Sequence, residues 1–262
     1  MVKNQLEEVS LKSAAFWALL IVFAMWLVYW ADALFLYNFY ELGVLPKQLR
    51  GLKGILFMPL IHASDDSKHI LNNTPAIFFL STLLFYSYRK IGFKIFVLSW
   101  IMSGLLLWAF AEDRGVYHIG MSAVIYALAG FLFMSGIIRK YFPLQALSLL
   151  IVFLYGSMVW GLFPTNLRIS WEGHLMGLST GFFLAIYYRS KGPQRPKFQY
   201  EIEKELGIEP PDLEAIYKQK LREEEEREAA IKSTPQIIYH YIDNKDAKEK
   251  PVINPPLDET VL

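Results

Sequence analysis

Six runs of apolar residues leave few folds open to this chain, because each comes near the roughly 20 residues a helix needs to cross a bilayer. They lie at about 14–36, 70–88, 93–111, 117–138, 144–163 and 172–188. In lipid every backbone N–H and C=O must find a partner inside the protein, so runs of this length read as helices. The first, SAAFWALLIVFAMWLVYW, precedes Ala31-Asp32-Ala33, which imitates a signal-cleavage site. Its apolar core is too long and its leader too poor in basic residues for that, and it reads as an uncleaved span.

Charge is segregated along the chain. Hydrophobic residues make up 54% and charged residues 19%, and about half of the charge is concentrated after position 200, in less than a quarter of the chain. The expected fold is therefore an all-α membrane protein in three parts. These are a short N-terminal segment (1–13), a six-helix membrane domain (14–188) and a charged, soluble tail (189–262). The formal net charge of +1 averages two unlike regions and carries no message about nucleic acid. With no cysteine, disulfides, thiol catalysis and cysteine metal sites are excluded. No cofactor, metal or nucleic-acid partner is expected.

Orientation follows from lysine and arginine, which accumulate on the cytoplasmic side. Arg89, Lys90 and Lys94, then Arg139 and Lys140, then Arg189, Lys191, Arg195 and Lys197 fall on one side. Glu112, Asp113 and Arg114, then Arg168 and Glu172, fall on the other. Both termini are thus expected in the cytoplasm, although Lys47, Arg50 and Lys53 in the first loop run against the pattern. That loop, about 38–68, is too long for a simple connector, and its spacing suits short amphipathic helices at the outer interface. In the tail, EPPDLEAIYKQKLREEEEREAAIKS reads as a charged helix after a Pro-Pro start. The stretch after Thr234 reads as disordered. The tail is either a solvated appendage or an adaptor.

Polar groups inside apolar spans are costly and draw attention to function. Three clusters lie toward the outer ends of their helices. Ser122 and Tyr126 are four apart and share a face, beside a strip of small residues, Gly120, Ala123, Ala127 and Gly130. Taken alone, Ser122 reads equally well as a helix serine bonding back to its own backbone. In WEGHLMGLSTG, His174, Gly177 and Gly181 share a face, and the GxxxG pair suits a close helix neighbour. Alone, His174 is equally an interfacial histidine. In HILNN, His69 and Asn73 face one way as neutral hydrogen-bond donors, or simply open a helix capped by Asp66 or Ser67. Together these groups form an inventory for acyl transfer: a hydroxyl, a base to take its proton, and donors for a tetrahedral oxyanion. Tyr126 is placed to orient the imidazole by stacking.

The order of these motifs resembles that of the rhomboid intramembrane serine proteases. GxS at Gly120-Met121-Ser122 with Tyr126 behind it, HxxGxxxG at His174, Gly177 and Gly181, and HxxxN at His69 and Asn73 carry the likeness, from about Gly43 to Gly181. The resemblance implies a six-helix bundle with an outward-facing site and a Ser122–His174 dyad. It further implies an oxyanion hole made by the Ser122 main-chain N–H, His69 and Asn73. The expected substrates are transmembrane segments of other membrane proteins, and the expected location is a bacterial inner membrane. There are departures. Ala123 stands where the pattern has glycine, and its methyl either crowds the oxyanion pocket or stiffens the helix. Ser64 stands where a second histidine is often found, with His62 as a substitute or incidental. The first loop lacks a Trp-Arg pair. A proteolytically inactive relative that binds transmembrane helices as a chaperone or scaffold is the main alternative. A small transporter is a third reading, disfavoured by the scarcity of ionisable residues in the inner halves of the spans.

Overall fold

The protein is described by a computed structural model covering residues 10–65, 67–164, 170–208 and 211–233. The expectations for Asp66, Arg168, most of the leader and the stretch after Thr234 lie outside the described residues. The chain divides into two compact units, Met1–Pro196 and Lys197–Leu262.

In the first unit, α1 (Leu11–Phe35) opens on Ser10, whose hydroxyl accepts the Ser13 N–H at 3.1 Å, and closes on Leu36 in the left-handed region. The first loop follows. Its expected short amphipathic helices are single turns instead: Phe39–Leu42, Leu49–Gly51, α2 (Gly54–Phe57) and Met58–Leu60. The two-sided character survives. Lys47, Leu49, Arg50, Lys53 and Leu56 are exposed, while Val44, Leu45, Gly51, Gly54 and Met58 are buried. Two indoles hold the loop down. Trp108 Nε1–H donates to the Gln48 carbonyl (2.9 Å), and Trp100 Nε1–H to that of Leu56 (3.1 Å). The longer helices are α3 (Ser67–Ser87), α4 (Gly92–Phe110), α5 (Ser122–Arg139), α6 (Phe142–Tyr155) and α7 (Trp171–Tyr187).

Among the described residues, four segments are long and apolar enough to cross a membrane: Leu11–Phe35, Gly92–Phe110, Ser122–Arg139 and Phe142–Leu162. The expected second and sixth spans are helices, α3 and α7, but do not belong to that set. Polar residues dilute the first half of α3, SKHILNNT, and α7 has only 17 residues. Two boundaries also differ from expectation. The fourth segment becomes helical at Ser122 rather than near 117, because His118 pairs with Val44 in an isolated β-bridge and the chain then bends at Gly120 and turns at Met121 into the helix. The fifth gives up its α-helix at Tyr155 and continues as a 3-10 turn, Gly156–Leu162.

Helix α5 is central and packs against α3, α4, α6 and α7. Val124, Ile125, Leu128, Phe131 and Leu132 are buried there. At its far end Arg139, expected only as a cytoplasmic marker, is buried. Its guanidinium donates to the carbonyls of Tyr188 (2.7 Å) and Lys191 (2.8 Å) and to the Ser135 hydroxyl, and lies over the Tyr88 ring. The second unit holds α8 (Gln199–Glu205) and α9 (Leu213–Ser233), the expected charged helix, with a Lys218–Glu214 ion pair at 2.8 Å.

Candidate active site

Ser122 is the first residue of α5. The opening N–H groups of a helix have no partner one turn back, so the Ser122 N–H is a donor without an intrahelical acceptor. Ile125 N–H makes the first bond, to Met121 O at 3.0 Å. The entry is shaped by Gly120, with φ at +107° and its N–H bonded to the Met58 carbonyl at 2.9 Å. That φ strains any residue with a side chain. A methyl there would also lie 2.6 Å from His69 Nε2 and 3.7 Å from Asn73 Nδ2. Both α3 side chains therefore close on the backbone two residues ahead of Ser122. The Ser122 side chain is half-buried, and among the described residues its hydroxyl makes no hydrogen bond.

Helix α7 begins at a serine cap: Ser170 Oγ accepts the Gly173 N–H at 3.2 Å. Gly177 and Gly181 then let α7 lie directly on α5. A methyl at Gly177 would overlap the Ala123 carbonyl, and one at Gly181 the Ala127 carbonyl. This register sets His174, one turn before Gly177, at the mouth of the helix pair. Its ring is buried and stacked on Tyr126, with centroids 4.2 Å apart and planes 12° apart.

The 3-10 turn after α6 completes the arrangement, and nothing in the sequence reading anticipated it. Tyr126 O–H donates to the Met158 carbonyl at 2.6 Å, and His174 Nδ1 lies 2.9 Å from the Gly161 carbonyl. A carbonyl only accepts, so Nδ1 carries the proton, and in the neutral ring Nε2 keeps its lone pair. Gly161 must be glycine for this approach, since a methyl would strike the Tyr126 hydroxyl and come 3.0 Å from His174 Nδ1. The one sequence hint was the pair Gly156 and Gly161 interrupting an otherwise apolar run.

Asn73 is also held from outside its helix. Its Nδ2 donates to His62 Nε2 at 2.9 Å. His62 is buried in the first loop, its ring 4.9 Å from that of His69. Burial, then the neighbouring His69, pushes its pKa down to about 3, so it stays a neutral acceptor at physiological pH. The amide orientation of Asn73 is thereby fixed, with its second N–H left over. Ala123, the departure from the glycine pattern, is buried in a small apolar cluster with Val44, Met58, Leu107 and Ala111.

The structure thus gathers Gly120, Ser122, Tyr126, His69, Asn73, His174 and Gly177 around one end of α5, while Gly181 sits a turn deeper. A Rhomboid domain model matches residues 50–191, more than half of the chain. The chain belongs to the rhomboid family. Rhomboids are in general intramembrane serine proteases, and the four apolar helices agree with an integral membrane protein. Three curated mycobacterial proteins, one from Mycobacterium bovis and two from strains of Mycobacterium tuberculosis, are each 30% identical over 165 residues. The match takes in 58% of this chain and 65% of each relative's length, and all three are named only as uncharacterized proteins. The matched rhomboid region contains His62, His69, Asn73, Gly120, Ser122, Tyr126, Gly161, His174, Gly177 and Gly181.

Proposed function

We propose that this rhomboid is an intramembrane serine endopeptidase that cleaves transmembrane segments of other membrane proteins through a Ser122–His174 dyad. The observation that carries the reading is the Gly161 carbonyl on His174 Nδ1, under the Tyr126 ring. It fixes the tautomer in which Nε2 can take a proton. Ser122 Oγ attacks the scissile carbonyl carbon as its proton passes to His174 Nε2. The tetrahedral oxyanion accepts hydrogen bonds from the Ser122 N–H, Asn73 and His69. Its collapse breaks the C–N bond, and the imidazolium returns the proton to the leaving amine. Water, activated by the same imidazole, then releases the acyl group.

The wider reading has all six helices α1 and α3 to α7 crossing the bilayer, with both termini cytoplasmic and the site on the outer side of a bacterial inner membrane. In it residues 14–188 form the membrane domain and 189–262 the cytoplasmic tail. A 17-residue α7 spans about 25 Å, a length that shifted bilayer depth or tilt of its neighbours accommodates. Because the serine opens its helix, water reaches it by a shorter path than a residue two turns down would allow. The inactive-scaffold alternative drew its support from Ala123. That residue is buried in an apolar cluster with Val44, Met58, Leu107 and Ala111, a placement that both readings share, and fluorophosphonate labelling of Ser122 separates them.

The test uses purified protein in liposomes with a single-span reporter and a fluorophosphonate probe. Cleavage and labelling are expected to depend on Ser122, and cleavage by Ser122→Ala at the wild-type rate would overturn the proposal. Asn73→Ala is expected to slow turnover by about 10²-fold or more with little change in KM, as for loss of one oxyanion donor. Equal kcat values would reduce Asn73 to a helix-opening residue.

A further inference from the structure

His118 heads the segment that leads into Ser122, four residues ahead of it, and Ser170 heads α7 four residues ahead of His174. The two side chains meet, with His118 Nδ1 2.6 Å from Ser170 Oγ. Both are anchored. The His118 backbone exchanges two hydrogen bonds with Val44 of the first loop, at 2.9 and 2.8 Å. A methyl on Gly43 would come within 2.6 Å of the His118 carbonyl, so the loop sits hard against this segment. Ser170 is the α7 cap and already accepts the Gly173 N–H, so its own proton is available to the imidazole. One residue into α7, buried Glu172 accepts the Glu112 N–H at 2.9 Å, a second tie between the start of α7 and the end of the α4 segment. The charged groups facing His118 are Glu172 and Arg114. Burial lowers its pKa, Glu172 opposes this and Arg114 adds to it, leaving the ring neutral near pH 7.

We propose that the His118–Ser170 pair is a positioning device that locks the entry to the serine onto the cap of the histidine helix. It thereby holds Ser122 and His174 in register for proton transfer. The inference rests on the protease reading. The close helix contact at Gly177 sets the distance between α5 and α7 but lies one turn below His174. Rotation of the first turn of α7 is opposed above that contact by the His118–Ser170 bond. Neither residue touches the reacting atoms. Their loss therefore alters kcat, since a displacement of about 1 Å is enough to cost up to 10²-fold, and leaves substrate affinity alone.

The experiment is a double-mutant cycle in liposomes, with kcat and KM from the reporter and the rate of fluorophosphonate labelling as a substrate-independent readout. His118→Leu and Ser170→Ala are each expected to lower kcat and the labelling rate by about 10- to 100-fold with KM unchanged. The double variant is expected to be no worse than the weaker single variant, the sign of one shared interaction. His118→Asn, whose amide oxygen can accept the Ser170 proton in place of Nδ1, is expected to recover most of the rate lost in His118→Leu. Multiplicative losses, a pure KM effect, or a wild-type labelling rate in His118→Leu overturns the inference while Ser122-dependent labelling leaves the protease reading standing. If His118→Leu does not fold, as judged by melting in detergent, the Asn variant and Ser170→Ala decide. Both must then agree with the stated pattern, or the inference fails. Wild-type protein that takes no label at Ser122 overturns both.

Discussion

His174→Ala is expected to remove measurable reporter cleavage, a loss of at least about 10³-fold in kcat, because a serine without its base has no route for its proton. The fold should survive, since the ring lies at the mouth of the helix pair, above the glycine contacts that join α7 to α5. Two features make the effect specific to imidazole. Its Nδ1–H is held by the Gly161 carbonyl, and its face by Tyr126. His174→Gln keeps a hydrogen-bonding group of similar reach but has no basic nitrogen, and it should be as inactive as alanine. Reporter cleavage by either variant within tenfold of wild type would mean that another group takes the proton. The measurement is single-turnover cleavage at saturating reporter, with melting in detergent to show that the protein is intact.

Gly177→Leu acts on the other side of the same problem and should cost stability first. The Cβ position of residue 177 overlaps the Ala123 backbone carbonyl. Backbone cannot move aside as a side-chain tip can, so α5 and α7 must separate. Overpacking a core costs about 1–3 kcal/mol even when neighbouring side chains can adjust, and here the obstacle is main chain next to Ser122. A marked drop in melting temperature is expected, together with loss of both cleavage and fluorophosphonate labelling. Gly177→Ala should fall between leucine and wild type in both readouts. Normal melting and normal labelling of the leucine variant would mean that the helices do not touch there in the membrane.

What was legible in the chain was the periodic part. Helix positions followed from apolar runs, and the shared faces of Ser122 with Tyr126 and of His174 with Gly177 followed from spacing alone. The errors fell where the backbone leaves regular geometry. Tyr117 to Met121 fell inside the expected fourth span, yet the Val44–His118 pairing and the positive φ of Gly120 make them a non-helical entry that bends into the helix. Gly156–Leu162 does close the expected fifth apolar segment, but as a 3-10 turn rather than α-helix, and that course offers two carbonyls to Tyr126 and His174. Main-chain acceptors have no letter in the sequence, so the Gly161 partner of His174 could not be read from it. His62 was visible as a histidine, but its bond to Asn73 depends on how the first loop folds back. Composition suggests that such a loop is amphipathic and says little about which of its residues turns inward.

Arg139 shows what charge counting overlooks at the end of a membrane helix. For deciding which side of the bilayer a segment faces, arginine and lysine are equivalent. For holding the end of α7, they are not. The planar guanidinium reaches two carbonyls and a hydroxyl at once while lying across an aromatic ring, and a lysine offers a single point of charge that cannot span them. Exchange of Arg139 for lysine keeps the charge and would still unfasten the seam between the ends of α5 and α7, so the shape of this cation, and not its charge alone, keeps the bundle closed.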